Sequence, residues 1–291
     1  MATTNREAFL KAKKLLSLNK KIEFSDSEIY LLLIKANGYK NFTDLIVKFD
    51  ENLSNPDFFT RNLNRLNAGE PIQYVTGEAP FFDMDLRVNN NVLIPRPETE
   101  GLCNIVKEEI QKNNLPHDKI GDICTGSGCI AAFLKRNFVG STVYATDKYV
   151  DAMSVAEYNF SKYHLDIITL IGSRLDPLLD RHLKLDVLVS NPPYVENMDD
   201  IEPNVLNYEP MHAVYVRDGT KFYESYFRHH REIMNDKFLM AFEINYDQEE
   251  KLTFLIKHYF DLNKIEYRFI SDVFGLTRYL IIRGDYSESN N

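Results

Sequence analysis

Beyond residue 118, short apolar runs alternate with amphipathic stretches, and that alternation restricts the chain to very few folds. Runs near 119–124, 142–147, 167–171, 185–190, 237–243, 264–270 and 278–283 predict strands. Stretches at about 127–137, 151–164, 220–235 and 247–260 predict helices. Helices interleaved with strands in this way cover both faces of a mostly parallel sheet. The expected architecture is therefore a seven-stranded, doubly wound α/β sheet.

Leu185-Asp186-Val187-Leu188-Val189-Ser190 reads as a buried strand, and Asn191-Pro192-Pro193-Tyr194 follows it directly. A Pro-Pro pair cannot continue a ladder, so the chain leaves the sheet at its carboxyl edge, where open α/β sheets bind ligands. The tetrapeptide suits an acceptor that is a planar NH2 nitrogen with its lone pair delocalised into a carbonyl or an aromatic ring. The Asn191 side-chain oxygen and the backbone carbonyl after it can each accept one N–H bond, which holds the nitrogen with its lone pair free. Tyr194 can stack on the flat face of the group. Taken alone, the tetrapeptide also reads as an Asn-Pro turn with Tyr194 as a core ring.

A loop upstream favours the functional reading. Asp122-Ile123-Cys124-Thr125-Gly126-Ser127-Gly128 ends the first sheet strand and opens a helix, and Gly126 and Gly128 let backbone approach a ligand closely. Asp147 ends the next strand, where a carboxylate can accept both ribose hydroxyls of a nucleoside. That pair fits either a nicotinamide cofactor or S-adenosylmethionine. Ala131 stands where a full dinucleotide motif has its third glycine, and a methyl donor has no pyrophosphate that needs it.

Residues 1–70 read as a small helical bundle. Ser25 and Glu28 form a capping box before Ile29–Ile34, Gly38 stops that helix, and Asn55-Pro56 opens another that Gly69 closes. A further helix is expected over 42–49. Residues 71–92 look like a β-hairpin connector, with alternation around Gln73–Thr76 and Phe82–Val88 separated by Gly77 and Pro80. The sheet domain then occupies 93–291 and ends in a polar tail, Ser287–Asn291, expected to fray. Ile94-Pro95-Arg96-Pro97-Glu98-Thr99-Glu100 stands at its start, with Pro97 in the first turn of a helix running to about Asn113; the heptapeptide reads either as a rigid linker or as part of the site.

The formal charge is −9, yet residues 1–80 carry 11 basic and 10 acidic side chains, so the acidity belongs to the sheet domain. Such a surface repels phosphate backbones, and no stable nucleic-acid partner is expected. The longest apolar run, Ile29–Ile34, is far short of a membrane span, and the first residues lack a signal-peptide core. Cys103, Cys124 and Cys129 are an odd number without CxxC spacing, which argues for buried thiols rather than disulfides or zinc. A cytoplasmic protein without a metal is the expectation, with a monomer favoured. Glu98, Glu100, Glu196 and Glu209 read as surface or loop carboxylates, and His229-His230 as a solvated pair on a helix.

In these motifs the chain resembles the protein-(glutamine-N5) methyltransferases that modify peptide chain release factors. The match runs from about Leu66 to Arg283: Gly69–Gly77, Ile94–Glu100, the glycine loop, Asp147, Asn191–Tyr194, Tyr208-Glu209-Pro210, Asp218-Gly219, and Asp272 with Gly275 and Arg278. The resemblance implies a class I Rossmann-like methyltransferase using S-adenosylmethionine and leaving S-adenosylhomocysteine. Its substrate would be the Gln of the Gly-Gly-Gln loop of class 1 release factors, with the N-terminal bundle as docking domain. Asn191 and Pro192 would then hold the acceptor amide and contribute to catalysis with Tyr194, and Pro193 would complete the substrate site. Thr125, Gly126, Ser127 and Gly128 would line the methionine end of the cofactor, Asp147 would take its ribose, and Asn191 would border it. Cys124 departs from the family's first loop glycine, Arg174-Leu175 from its acidic and aromatic pair beside the adenine, and Asn245 from a glycine after Glu243. An adenine-N6 nucleic-acid methyltransferase is the alternative enzyme, because an exocyclic NH2 presents the same two donors; a non-catalytic binding module is the alternative of another class.

Overall fold

The computed structural model describes residues 3–20 and 23–287, so the expected polar tail lies outside the described residues beyond Ser287. The chain divides into two compact units, Met1–Glu78 and Ala79–Asn291.

The first unit holds five helices among the described residues: α1 (Asn5–Leu18), α2 (Asp26–Asn37), α3 (Phe42–Val47), α4 (Pro56–Asn67) and α5 (Ile72–Thr76). Their starts follow from side-chain caps. Thr4 and Glu7 cap α1 reciprocally, Glu28 reaches back to the Ser25 N–H at 2.8 Å, and Asn55 caps α4 ahead of Pro56. Gly38, at φ 65°, ends α2 in the left-handed conformation that favours glycine. Leu16, Leu32, Leu33, Leu45, Phe59 and Leu63 form the bundle core.

The stretch Gln73–Thr76, expected as a strand, is instead helix α5. Four alternating residues cannot distinguish the two periods, and tertiary contacts decide. Ile72 and Val75, one helical turn apart, both enter the bundle core. The Arg65 guanidinium then donates to the carbonyls of Tyr74 and Val75 in the last turn of α5, at 3.1 and 3.3 Å. The hairpin accordingly shifts: β1 (Glu78–Phe81) pairs with β2 (Met84–Arg87), and Pro80 lies inside β1 rather than between strands. A two-stranded ribbon tolerates it because both strands are edges. Asn159 clamps β2, accepting from the Arg87 N–H at 2.7 Å and donating to the Arg87 carbonyl at 3.0 Å.

The second unit continues through α6 (Pro97–Asn113), β3 (Lys119–Ile123), α7 (Cys129–Asn137), β4 (Thr142–Asp147), α8 (Val150–Lys162), β5 (Ile167–Ile171), α9 (Asp176–Leu179) and β6 (Leu185–Ser190). After the Asn-Pro-Pro-Tyr segment come α10 (Pro203–Tyr208), α11 (Met211–Val214), α12 (Lys221–Arg228), α13 (His230–Ile233), β7 (Met234–Glu243), α14 (Glu249–Tyr259), β8 (Ile265–Ser271) and β9 (Thr277–Asp285). The helix expected over 220–235 breaks at His229, and β7 starts early because Met234 pairs with Leu185 of β6.

Seven strands form one sheet in the order β5-β4-β3-β6-β7-β9-β8. β3 to β7 are parallel, and β9 runs antiparallel to both β7 and β8. β6 is buried along its whole length. Val187 and Val189 enter the core shared with α6, α7 and α8, while Leu188 enters the one built with α12 and α14, so successive residues feed opposite faces. Strand order reverses at β3, whose neighbours β4 and β6 lie on opposite sides. That is a topological switch point, and the crevice outside the carboxyl ends of β3 and β6 is where such a sheet takes a ligand.

Candidate active site

The loop after β3 fills one wall of that crevice. It turns through left-handed conformations at Cys124 (φ 66°), Gly126 (φ 54°) and Gly128 (φ 82°). Cys124 thus holds a left-handed backbone conformation that favours glycine, at a strain of about 1–2 kcal/mol for a residue with a Cβ. Its sulphur lies 3.9 Å from the Tyr226 hydroxyl, and burial pushes the thiol up to about 12, so it stays protonated. At Gly128 a Cβ would stand 2.5 Å from the Phe160 ring, whereas at Gly126 it would meet nothing within 4 Å. The loop is therefore packed behind and open in front, as a cradle for a ligand must be.

Asp147, at the end of β4, holds this loop. Its Oδ2 accepts the Gly126 N–H at 3.0 Å and its Oδ1 accepts the Tyr149 N–H at 2.9 Å. Each oxygen keeps lone-pair capacity, so two further hydroxyl donors can be received without breaking either bond.

Asp122 supports the loop from below. Fully buried, it accepts the Thr125 hydroxyl at 2.6 Å and the Ala131 N–H at 3.0 Å through Oδ2, while Oδ1 has no partner among the described residues. Burial raises its pKa to about 7. The folded chain therefore binds a proton that the unfolded chain has already released, and this group's contribution to stability falls as pH rises from the ordinary carboxylate range through about 7. Asp122→Asn, which keeps one accepting oxygen, is expected to shrink the difference in melting temperature between about pH 5 and about pH 8 relative to the parent. An unchanged pH dependence in parallel thermal melts would show that Asp122 does not titrate there.

The opposite wall begins where β6 ends. Asn191 donates from Nδ2 to the Thr99 hydroxyl oxygen at 3.1 Å, and Thr99 donates to Glu243 Oε2 at 2.8 Å. Tyr194 donates its phenol to Glu243 Oε1 at 3.0 Å, and burial keeps that phenol protonated, well above its usual range. Thr99 sits in the first turn of α6, and Glu243 is the last residue of β7.

Thr125, Gly126, Ser127, Asp147, Asn191 and Pro193 line one common cleft. Gly128 caps α7 and Pro192 is buried; neither these nor Tyr194 line it. Reasoning from sequence missed Glu243, whose only linear signal is an acidic residue ending an apolar strand, and it left Thr99 as one letter of a linker motif. It also missed Tyr149, His212 and Phe222 on the cleft wall. Arg174 lies 4.8 Å over the Phe222 ring, and both border the cleft, while Leu175 is buried beneath.

Two readings of the sequence are corrected. Glu209 is no surface carboxylate: it is buried, accepts the Ile94 N–H at 3.0 Å, and pairs with Arg96, thereby pinning the loop before α6. His230 is buried rather than solvated, its ring 4.2 Å from that of Phe260, because α12 ends at Arg228 and the chain turns inward. Glu98, Glu100 and Glu196 are half-buried; Glu100 accepts the Phe82 N–H and Glu196 the Gly219 N–H. No cluster of three or more metal-ligating side chains occurs among the described residues, and no described helix is long and apolar enough to cross a membrane.

A seven-stranded sheet of this order, with its last strand reversed and a glycine loop at the switch point, defines a class I Rossmann-like methyltransferase dependent on S-adenosylmethionine. The cleft is chemically compatible with that cofactor: Gly126 leaves an open face, and Asp147 keeps lone-pair capacity for two hydroxyl donors. Residues 103–208 match the model of the Methyltransferase small domain. A release factor glutamine methyltransferase of Flavobacterium psychrophilum is 35% identical over 266 residues, which covers 88% of this chain and 92% of that protein. One of Staphylococcus aureus is also 35% identical, covering 81% of this chain and 84% of its own. Among solved structures, the delta-N METTL16 MTase domain shares the fold at a TM-score of 0.50 and 14% identity, over 71% of this chain and 90% of that one. The chain belongs to the release factor glutamine methyltransferase family.

Proposed function

We propose that this enzyme methylates the side-chain amide nitrogen of the Gln in the Gly-Gly-Gln loop of class 1 peptide chain release factors, and so acts on translation termination in the cytoplasm. The observation that carries the reading is Asn191, held by its own amide nitrogen against Thr99 at the mouth of the cofactor cleft. When bound, S-adenosylmethionine supplies an electrophilic methyl group on sulphur and leaves as S-adenosylhomocysteine. The protein's work is to hold a poor nucleophile in line with it. Asn191 Oδ1 and the Pro192 carbonyl each accept one N–H of the substrate amide, which directs the nitrogen lone pair at the cofactor. Both bonds tighten as positive charge develops on that nitrogen, so they favour the transition state over the ground state. The nitrogen then gives up one N–H proton to water, which leaves the neutral N-methyl amide.

The test is incubation with labelled methyl donor and, separately, an intact release factor or DNA, followed by mapping of the label. Label on the Gly-Gly-Gln glutamine is the expected result. Label on DNA adenine alone would replace this reading with the nucleic-acid one, and the acidic sheet domain argues against that outcome.

Residues 1–70 act in this reading as the docking domain for the body of the release factor, with 71–92 as connector, 93–291 as catalytic domain, and a monomer as the working form. The first unit exposes apolar side chains that its own core does not need, Leu18 at 73% and Val47 at 78%. Leu18→Glu with Val47→Glu is expected to raise KM for the intact factor about 10-fold, equivalent to roughly 1.4 kcal/mol, and to leave KM for a Gly-Gly-Gln peptide unchanged. Equal effects on both substrates, or none on either, would remove the docking role from these side chains.

A further inference from the structure

We propose that the buried carboxylate of Glu243 is a positioning residue, which dictates through Thr99 which end of the Asn191 amide faces the substrate. The inference rests on the acceptor-site reading above and adds to it the group that polarises the site.

Glu243 and Thr99 are 2% and 3% exposed, so neither finds alternative partners in water. A carboxylate only accepts, and Glu243 receives one donor on each oxygen, Thr99 on Oε2 and Tyr194 on Oε1. A hydroxyl owns a single proton. Once Thr99 has given it to Glu243, its oxygen can only accept, and it does so from Asn191 Nδ2 at 3.1 Å. The reversed amide would set Asn191 Oδ1 against the Thr99 lone pairs, acceptor facing acceptor, in a buried place.

Oδ1 is therefore turned away from Thr99, the orientation that receives an NH2 group. The wrong orientation would oppose an NH2 to the substrate's NH2. Tyr194 hangs from the same carboxylate, so one anion aligns both ends of the Asn-Pro-Pro-Tyr segment. Burial raises the proton affinity of Glu243, and the bonds from Thr99 and Tyr194, together with the positive charge of Arg278, oppose that rise.

Glu243→Gln is nearly isosteric but presents an NH2 on one side. Directed at Thr99, this donor releases the Thr99 proton toward Asn191 and favours the reversed amide; directed at Tyr194, it opposes the phenol proton. The variant is expected to lose about 100-fold in kcat, as misplacement of a reacting group does, with KM changed far less. Binding stoichiometry and affinity for S-adenosylhomocysteine, measured by calorimetry, should match the parent, which a merely misfolded fraction would not do. Thr99→Val should lose kcat in the same way, and Thr99→Ser should recover most of it, since serine restores the hydroxyl but not the methyl. This pair tests the proposal even if Glu243→Gln does not fold.

Asn191→Ala serves as reference. If it is inactive while Glu243→Gln and Thr99→Val turn over at the parent rate, the relay is wrong and the acceptor site stands. If Asn191→Ala itself keeps the parent rate, the acceptor-site reading fails and the relay with it.

Discussion

Replacing Asn191 with alanine is expected to lower kcat on the release factor by about 100-fold or more while donor affinity stays within a few-fold. Two effects combine. The substrate amide loses one of the two acceptors that direct its nitrogen, and an N–H left without a partner in the closed site costs about 1–3 kcal/mol. The protein also loses a donor to Thr99, but the Thr99–Glu243 bond at 2.8 Å survives, so the wall of the cleft should stand. Single-turnover rates and calorimetry with S-adenosylhomocysteine separate chemistry from donor binding. A parent rate in the variant would move the acceptor site away from the end of β6.

Asp147→Ala should act on the other substrate. Hydrogen bonds to a charged acceptor contribute about 1.5–3 kcal/mol, so the donor dissociation constant is expected to rise roughly 10- to 150-fold. The effect has a second source in this fold, because Asp147 also accepts the N–H groups of Gly126 and Tyr149 and so holds the loop that lines the cleft. Saturating donor should restore much of kcat, unlike in Asn191→Ala. Unchanged donor affinity by calorimetry would place the ribose elsewhere.

The motifs that announced the site share one property, which is that their chemistry is local. A glycine loop after a strand, an acid at the end of the next strand and a proline pair after a third are each legible in a few residues, because backbone conformation and strand edges are set by neighbours in the chain. Cys124 shows the limit of that legibility. As a letter it breaks the glycine pattern, yet its φ of 66° shows that the surrounding loop imposes the glycine conformation on it. Gln73–Thr76 failed for a related reason, since four residues carry too little periodicity to outweigh Arg65 and the bundle core.

The strand–helix alternation, the glycine loop, Asp147 and Asn191–Tyr194 were determined by the chain alone, each through a pattern of neighbouring residues. Only the tertiary structure brought Thr99, Asn191, Tyr194 and Glu243 together from α6, the end of β6 and the end of β7. Sheet order did this, because β6 pairs directly with β7 and so sets Ser190 beside Phe242, one residue short of Asn191 on one strand and of Glu243 on the other. The same packing buried Glu209, Glu243 and His230. No local pattern distinguishes a carboxylate that will meet two donors in a dry core from one that will meet water, since the difference lies in partners distant in sequence.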